Sequence, residues 1–386
     1  MPHTETGLPG DERGDERVVL AHDYITQRGG AERVVLSLAR AFPAAPIHTA
    51  LYEPSMTFPE FEALDVRPMR LNRRRMLRRH HRLALPFLAG TMSSHQIDAD
   101  ILLTSSSGWA HGIPTTGRKI VYCHAPARWL YQSDRYAGAE QGRSARSLAI
   151  GAITGVLGRR LRDWDARAAH SADRYLVNST VIKTAVADVY GIDAEVLPPP
   201  PASLAVGAAP IPVAEVEHPF VLCVARLMPY KNVDKVVDAV AQLPGMSLVI
   251  VGDGPERARL EQRAQQVGDT LLAGRVSDGE LRWLYENAAG LVAASYEDFG
   301  LSPLEAASFG IPTVALRDGG YLDTVIEGRT GVFFPVPEAQ AIAAALERMT
   351  TIQWNPETIA AHAETFSEQR FIARIRAVVD EELARR

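Results

Sequence analysis

Two cysteines in 386 residues, Cys123 and Cys223, are too few and too far apart for a disulfide framework. Each sits in an apolar, strand-like run, so buried free thiols in a reducing cytosol are expected. No CxxC and no HExxH occurs, which leaves no protein-held metal site to expect. No G-x-S-x-G occurs either, so Ser105-Ser106-Ser107 before Gly108 and Trp109 read as a turn and helix cap rather than a nucleophile. Neither charge sign dominates: 41 basic residues face 46 acidic ones, net −5, without a nucleic-acid footprint. The longest uncharged apolar-rich run, Leu148 to Gly158, falls far short of the ~20 residues that span a bilayer. Residues 1–16 are acidic and polar with no hydrophobic centre, neither a signal peptide nor an anchor, and read as a disordered tail. A cytoplasmic protein, at most peripheral on the inner face of the cell membrane, is expected. No repeat of solenoid length appears.

What is present is a regular alternation of apolar runs and helical patterns. Apolar runs at Arg17–His22, Ile47–Leu51, around Val66, Asp100–Thr104, Lys119–Cys123 and Asp173–Val177 read as buried strands. Arg143 to His170 reads as helical. Asn178-Ser179-Thr180 matches a glycosylation sequon, but without a secretion signal it reads as a helix cap. Four consecutive prolines, Pro198 to Pro201, then open a stretch of little periodicity up to Pro219, which fits a linker. The alternation restarts with strands at Phe220–Ala225, Leu248–Gly252, Thr270–Val276, Gly290–Ala294, Thr313–Leu316 and Gly331–Pro335. Two doubly wound α/β domains facing a cleft account for this pattern. The expected division is a tail at 1–16, a first Rossmann-like domain at 17–200, a linker at 201–218, a second domain at 219–366 and a closing helix at 367–386.

The most informative stretch is Ser295 to Glu305, SYEDFGLSPLE. It follows a buried strand and leads into a helix, the place where open α/β sheets bind ligands. Ser302 would be the N-cap, Pro303 the first helical residue and Glu305 the capping-box partner. Amides at a helix start attract phosphate. Glu297 and Glu305, acceptors suited to sugar hydroxyls, frame the turn. An arginine and a lysine, Arg226 and Lys231, lie on the loop after the second domain's first strand, where a guanidinium forks onto phosphate oxygens and the lysine adds a point charge. Gly29-Gly30 between a strand and a helix is a further phosphate candidate. His124 stands at a strand's carboxyl end, a better placement for function than a helix face. Arg67 to Arg82 holds eight arginines and no acid, with Met69, Leu71, Met76 and Leu77 interleaved. Such a basic amphipathic segment reads as binding an anionic membrane surface or an anionic acceptor, and Arg73, Arg74, Arg75, Arg78 and Arg79 are its candidates.

These motifs together resemble the retaining glycosyltransferases of family 4, which have the GT-B fold. Glu297 and Glu305, with seven residues between them, match the E-x7-E motif; Gly29-Gly30-Ala31-Glu32 matches a GGAE-like segment. Tyr122-Cys123-His124-Ala125-Pro126-Ala127-Arg128 matches YCHxPxR, and Arg226 with Lys231 matches the R-x4-K diphosphate clamp. The resemblance implies that Glu297 lies at the donor sugar, Glu305 binds the ribose, and the amides around Phe299, Gly300 and Leu301 meet the diphosphate. It implies that His124 contacts the donor sugar beside the reacting centre, and that Gly29 and Gly30 let the first domain approach the diphosphate. It places the nucleotide base near Arg275 and Val276. It marks Leu161 to Asp165, an R-x-W-D segment, as structural. The family usually has Glu where this chain has Asp323, which shortens the reach of that carboxylate. In GT-B proteins the last helix crosses back to the first domain, here Glu368–Arg385.

The activity implied is transfer of a hexose, mannose from GDP-mannose by first choice and a UDP-sugar by second, to a glycan or lipid-linked acceptor. The setting implied is polysaccharide synthesis at the inner face of a cell membrane. The nucleotide sugar is a substrate; no cofactor, metal or nucleic acid is expected. The rival readings are a GT-B sugar-nucleotide epimerase and a non-catalytic partner that binds nucleotide sugar.

Overall fold

A computed structural model describes residues 17–131, 158–201, 208–214, 216 and 219–385. The proposed tail, the Leu148–Gly158 patch up to residue 157, and much of the proposed linker lie outside the described residues. So does the portion of the 143–170 helical reading before residue 158.

The first domain is a seven-stranded, all-parallel sheet: β1 Val18–His22, β2 Ile47–Thr49, β3 Val66–Pro68, β4 Ile101–Ser106, β5 Arg118–Cys123, β6 Arg174–Val177 and β7 Glu195–Val196, ordered β3-β2-β1-β4-β5-β6-β7. The second domain repeats the pattern with six strands: β8 Phe220–Val224, β9 Ser247–Val251, β10 Thr270–Gly274, β11 Gly290–Ala293, β12 Thr313–Leu316 and β13 Gly331–Phe334. Their order is β10-β9-β8-β11-β12-β13, again all parallel. Every residue of β4, β11, β12 and β13 is buried. Helices cover both faces of such a sheet, which is why its strands are largely apolar, although β4 ends on the buried Thr104, Ser105 and Ser106.

In each sheet the strand order reverses once, between β1 and β4 and between β8 and β11. Loops that leave the carboxyl ends of neighbouring strands on opposite sides of the reversal diverge and leave a crevice. The first crevice is walled by the loops after β1 and β4, the second by those after β8 and β11. The two crevices face each other.

The helix Gly30–Ala41 buries Val34, Val35 and Leu38 on the first sheet. The 17-residue helix Glu368–Ala384, last in the chain, packs on that same domain rather than on the one preceding it. Phe371, Ile375, Val378 and Val379 join the core of Leu20, Ile101 and Ile120. Arg118 bonds Glu382 at 2.7 Å, Arg374 bonds Glu195 at 2.9 Å, and Arg40 bonds Glu368 at 2.6 Å.

Three local readings change. Ser105 and Ser106, read as part of a turn, are the last two residues of β4 and pair with Tyr122 and Cys123. The helix after β11 runs Leu301–Ser308 with Gly300 as its N-cap, so Ser302 lies inside it and Glu305 makes no capping box. The basic stretch is a chain of short pieces, with 3-10 turns at Arg70–Arg73 and His81–Ala84 around a single-turn helix Arg75–Arg79. The sequon does act as a cap: Ser179 Oγ accepts from Ile182 N at 3.2 Å, and Asn178 Nδ2 donates to the carbonyl of His124 at 3.1 Å. In the R-x-W-D segment, Trp164 Nε1 donates to Ser93 Oγ at 2.7 Å, and buried Asp165 accepts from Tyr190 at 2.6 Å and Tyr131 at 3.0 Å.

Candidate active site

The two domains enclose a cleft of about 1520 Å³. That exceeds the usual ~300–1,000 Å³ of a small-molecule pocket and leaves room for two ligands.

The second-domain wall is the more elaborate. After β8 the chain exposes Arg226, runs through a 3-10 turn Pro229–Lys231, and reverses at Asn232, whose φ of 53° is left-handed. The Asn232 side chain donates to the carbonyl of Ala294 at 2.8 Å, tying this loop to the one after β11. The tie brings Lys231 onto Glu297: its ammonium forms an ion pair with Glu297 Oε1. Ser295 Oγ donates to the same carboxylate oxygen at 2.7 Å and lies 3.4 Å from the Tyr321 hydroxyl. Glu297 is thus oriented by two donors rather than left to solvent. Glu305 faces the same cleft, and the buried Tyr285 hydroxyl donates to its Oε2 at 3.2 Å. Phe299 and Leu301 also line the cleft.

Gly300 lies behind that wall. A Cβ there would stand 2.4 Å from Thr324 Oγ1 and 2.7 Å from the Tyr321 ring. Gly319, at φ 62°, is equally tight: a Cβ would fall 2.3 Å from the carbonyl of Glu297. The glycines let the loop after β12 press against the Glu297 turn, where Gly320 N donates to the Glu297 carbonyl at 2.8 Å.

Of the base-site candidates, Arg275 is 85% exposed, lines the cleft and sits 3.6 Å from Asp253. Val276 instead packs beneath, against the cluster of Phe220 and Leu284.

On the first-domain side the glycine pair follows Thr26, Gln27 and Arg28, which line the cleft, but neither Gly29 nor Gly30 lines it. Gly30 lies close against Leu301 of the second domain, where a Cβ on it would make ordinary van der Waals contact, 3.5 Å from Leu301 Cδ1. Behind it Glu32 is buried without a hydrogen-bond partner for either oxygen. Loss of solvation raises its carboxyl to about 7, against a smaller lowering by the nearby Gln27 side chain and backbone groups.

His124 follows β5. It is not among the residues lining the cleft. Its Nε2 shares a hydrogen bond of 2.8 Å with Ser105 Oγ, and Ser105 in turn meets His22 Nδ1 at 3.1 Å. Burial, with His22 and Arg128 adding to it, lowers the His124 pKa to about 3, so the ring is neutral near pH 7. The thiols of Cys123 and Cys223 are free, buried and pushed up to about 12 by burial.

Two polar contacts join the domains among the described residues. Arg128 pairs with the buried Asp298. Asp323 accepts from Thr180 N at 2.7 Å and from Thr180 Oγ1 at 2.5 Å. The shorter Asp323 side chain therefore reaches the first domain.

The arginine run divides. Arg73, Arg74 and Arg75 are exposed, beside Met76 at 63%, with Leu83 at 52% and Phe87 at 55% further on. Arg78 is tied down, its Nε to Glu53 at 3.2 Å and its Nη1 to the carbonyl of Asn72 at 2.8 Å. Arg79 lines the cleft. Among the described residues no helix is long and apolar enough to cross a membrane, and no group of three or more His, Cys, Asp or Glu gathers as a metal site would.

Residues 28–200 match the model of Glycosyltransferase Family 4, and residues 210–366 match that of Glycosyl transferases group 1. The chain is a family 4 glycosyltransferase. This family 4 chain is similar to a GDP-mannose-dependent alpha-(1-6)-phosphatidylinositol monomannoside mannosyltransferase of Mycolicibacterium smegmatis, 30% identical over 145 residues. That match covers 34% of the chain and spans only 38% of the relative's length. Among solved structures it superposes on the lipopolysaccharide outer core galactosyltransferase WaaB with a TM-score of 0.66 at 17% identity, covering 95% of this chain and 99% of the other. It superposes on Anabaena HepE in complex with UDP-glucose with a TM-score of 0.65 at 19% identity, covering 96% and 100%. At those identities the structural matches establish the GT-B fold.

Sequence reasoning left Ser295, Tyr321, Asp298 and Ser105 out of the site of this family 4 chain. Ser295 opens the quoted stretch and Arg128 ends the YCHxPxR segment, so each had a neighbour in view. The pairing of Arg128 with Asp298, 170 residues on, leaves no local signal.

Proposed function

We propose that this chain is a retaining hexosyltransferase that moves a sugar from a nucleotide diphosphate donor to a hydroxyl of a glycan or lipid-linked acceptor. The observation that carries the reading is the convergence of Arg226, Lys231, Glu297 and Glu305 on one cleft, from the two loops flanking the β8–β11 reversal. Arg226 and Lys231 neutralise the donor diphosphate as negative charge builds on it, a contribution that grows in a cleft drier than bulk water. No divalent ion is invoked for that role. Glu297, aligned by Lys231 and Ser295, accepts from the hexose hydroxyls. Glu305 accepts from the ribose.

In the transfer, the bond from the sugar's anomeric carbon to the diphosphate oxygen breaks. The acceptor oxygen bonds to that carbon on the same face, and the acceptor proton passes to the departing phosphate. Neutral His124 is suited to bonding a sugar hydroxyl from the first-domain side once the domains close further. The amides after Phe299 sit at a helix start and favour the diphosphate.

GDP-mannose is the first donor reading, supported by the mannosyltransferase relative. A UDP-sugar is the second, favoured by the likeness to HepE, whose structure holds UDP-glucose. Exposed Arg73, Arg74, Arg75 and Met76 support docking on an anionic membrane, where a lipid-linked acceptor would be found.

A thermal-shift panel of GDP- and UDP-sugars tests the reading. A true donor raises Tm by mass action, and Lys231→Ala abolishes that rise. No shift with any nucleotide sugar, or an undiminished shift in the variant, rejects the site.

A further inference from the structure

Three neighbouring strands of the first sheet bring a serine and two histidines together. His22 closes β1, Ser105 stands in β4, and His124 follows β5. In the register of the sheet His22 pairs with Ser105, and Ser105 with Tyr122. His22 and Ser105 are buried, at 2% and 0% exposure, while His124 is half-buried.

His124 is gripped from several sides. Its backbone N donates to the carbonyl of Ser106 at 2.9 Å, and its carbonyl accepts from Asn178 Nδ2 at 3.1 Å. Its ring stands edge-on to Tyr122, with centroids 5.3 Å apart and 65° between the planes. Nε2 meets Ser105 Oγ at 2.8 Å. Among the described residues none bonds Nδ1, so that atom alone is left to meet a ligand.

The hydrogens in this relay follow from which atoms can only accept. His22 Nδ1 lies 2.9 Å from the carbonyl of Ser105, so Nδ1 carries a hydrogen. The same N–H faces Ser105 Oγ at 3.1 Å, and Oγ accepts there. The hydroxyl hydrogen of Ser105 is sealed from water and needs an acceptor of its own. His124 Nε2 is the one within reach among the described residues. It accepts, and the neutral ring then keeps its single hydrogen on Nδ1. The reverse arrangement, with Nε2–H donating to Oγ, strands a buried hydroxyl hydrogen without a partner.

We infer that Ser105 is a positioning residue for the donor sugar: its hydroxyl, turned by His22, holds His124 in the tautomer whose Nδ1–H is a hydrogen-bond donor to an oxygen of the hexose. The inference rests on the contact proposed above between His124 and the sugar. It adds the direction of that bond and the residue that sets it. A ring whose orientation and tautomer are already fixed loses less freedom when the sugar arrives.

The first test is a magnetic-resonance spectrum of the full chain, isotopically labelled at the histidine ring nitrogens. The His124 signals are those missing from His124→Ala. The wild type should show a hydrogen-bearing Nδ1 and a bare Nε2, and Ser105→Ala should lose that preference. The second test is calorimetric and compares GDP-mannose with GDP, and UDP-glucose with UDP. Ser105→Ala should weaken the nucleotide sugar that binds by about fivefold, the scale of one hydrogen bond, and leave its nucleoside diphosphate unchanged. Ser105→Cys fills the same space with a much weaker donor and should behave as the alanine variant does. Adding Ser105→Ala to His124→Ala should cost nothing further, because the serine acts through that ring. A wild-type ring with its hydrogen on Nε2 overturns the proposal. So does full sugar affinity in Ser105→Ala, an equal loss for nucleotide and nucleotide sugar, or a further loss in the double variant. If neither nucleotide sugar binds, the donor reading fails, and the ring spectrum still decides whether Ser105 sets the tautomer.

Discussion

Replacing Asp323 by alanine removes a hydrogen-bonded bridge between the domains without touching either core. The carboxylate accepts from the backbone amide and the hydroxyl of Thr180, the first residue of the helix Thr180–Tyr190. That amide is one of the unpaired donors at a helix start, and the helix dipole adds to its attraction for an anion. The helix keeps its own cap in the variant, because Ser179 still accepts from Ile182 N. The fold should therefore survive, and the change should appear in the balance between open and closed cleft. A hydrogen bond to a charged group contributes ~1.5–3 kcal/mol in shelter. Asp323 is only half-buried, so solvent competes and about 1–2 kcal/mol for both bonds together is the reasonable scale. That corresponds to a shift of roughly 5- to 30-fold toward the open state. Thr180→Val removes the hydroxyl bond alone and should give about half the free-energy change. The double variant should match Asp323→Ala, because both substitutions break one contact. Asp323→Glu keeps the charge on a longer arm and should fall between wild type and alanine. Energy transfer between dyes on exposed cysteines placed one per domain reads the closed fraction; the native thiols are buried and stay unlabelled. A closed fraction in Asp323→Ala equal to that of wild type refutes the bridge.

Glu297→Ala and Lys231→Ala should each lower turnover by at least ~100-fold, the scale of losing one oxyanion-type contact. Because the two side chains bond each other, the double variant should fall far short of the product, as single-turnover rates would reveal. Glu32 gives a pH signature: its folded pKa of about 7 exceeds the ordinary 4.5, so its stabilising effect is full below 4.5 and is lost as pH rises through 7. Urea unfolding of the wild type should weaken over that window by up to about 3 kcal/mol, and Glu32→Gln should lack the slope. Sedimentation with vesicles should show binding that needs anionic lipid, falls with salt, and is lost when Arg73, Arg74 and Arg75 become glutamine. Binding that ignores salt would count against the membrane surface.

Much of this molecule is written locally. Parallel strands buried on both faces are mostly apolar, so Ile101–Leu103 or Leu248–Val251 declare themselves in any window of the sequence, whereas Ser105 and Ser106, polar and read as a turn, are the buried end of β4. The loops at the two reversals are equally visible, because glycines, cations and carboxylates follow those strands directly. What is not local stays hidden. Ser302-Pro303-Leu304-Glu305 has every mark of a capping box, yet the chain turns helical earlier. Gly300 is packed against Tyr321 and Thr324, and Glu305 is held by Tyr285, 20 residues upstream. Nothing in the arginine run tells Arg78, bonded to Glu53, from exposed Arg75. Asp323 looks like a weakened sugar ligand until its partner, 143 residues earlier, comes into view.

The closing helix changes how the two halves can move. The polypeptide leaves the first domain after β7 and returns to it between the helices Pro356–Glu364 and Glu368–Ala384, so the halves are strung together at two points. A body hung from a single tether tumbles; hung from two, it swings about the line joining them and resists sliding or twisting. Clamshell rotation is then the one soft coordinate, which keeps Arg226 and Glu297 aimed at the same opposing surface each time the jaws meet. Truncating the chain at the second tether would strip Phe371, Ile375, Val378 and Val379 from the first sheet, and with them the alignment of the jaws.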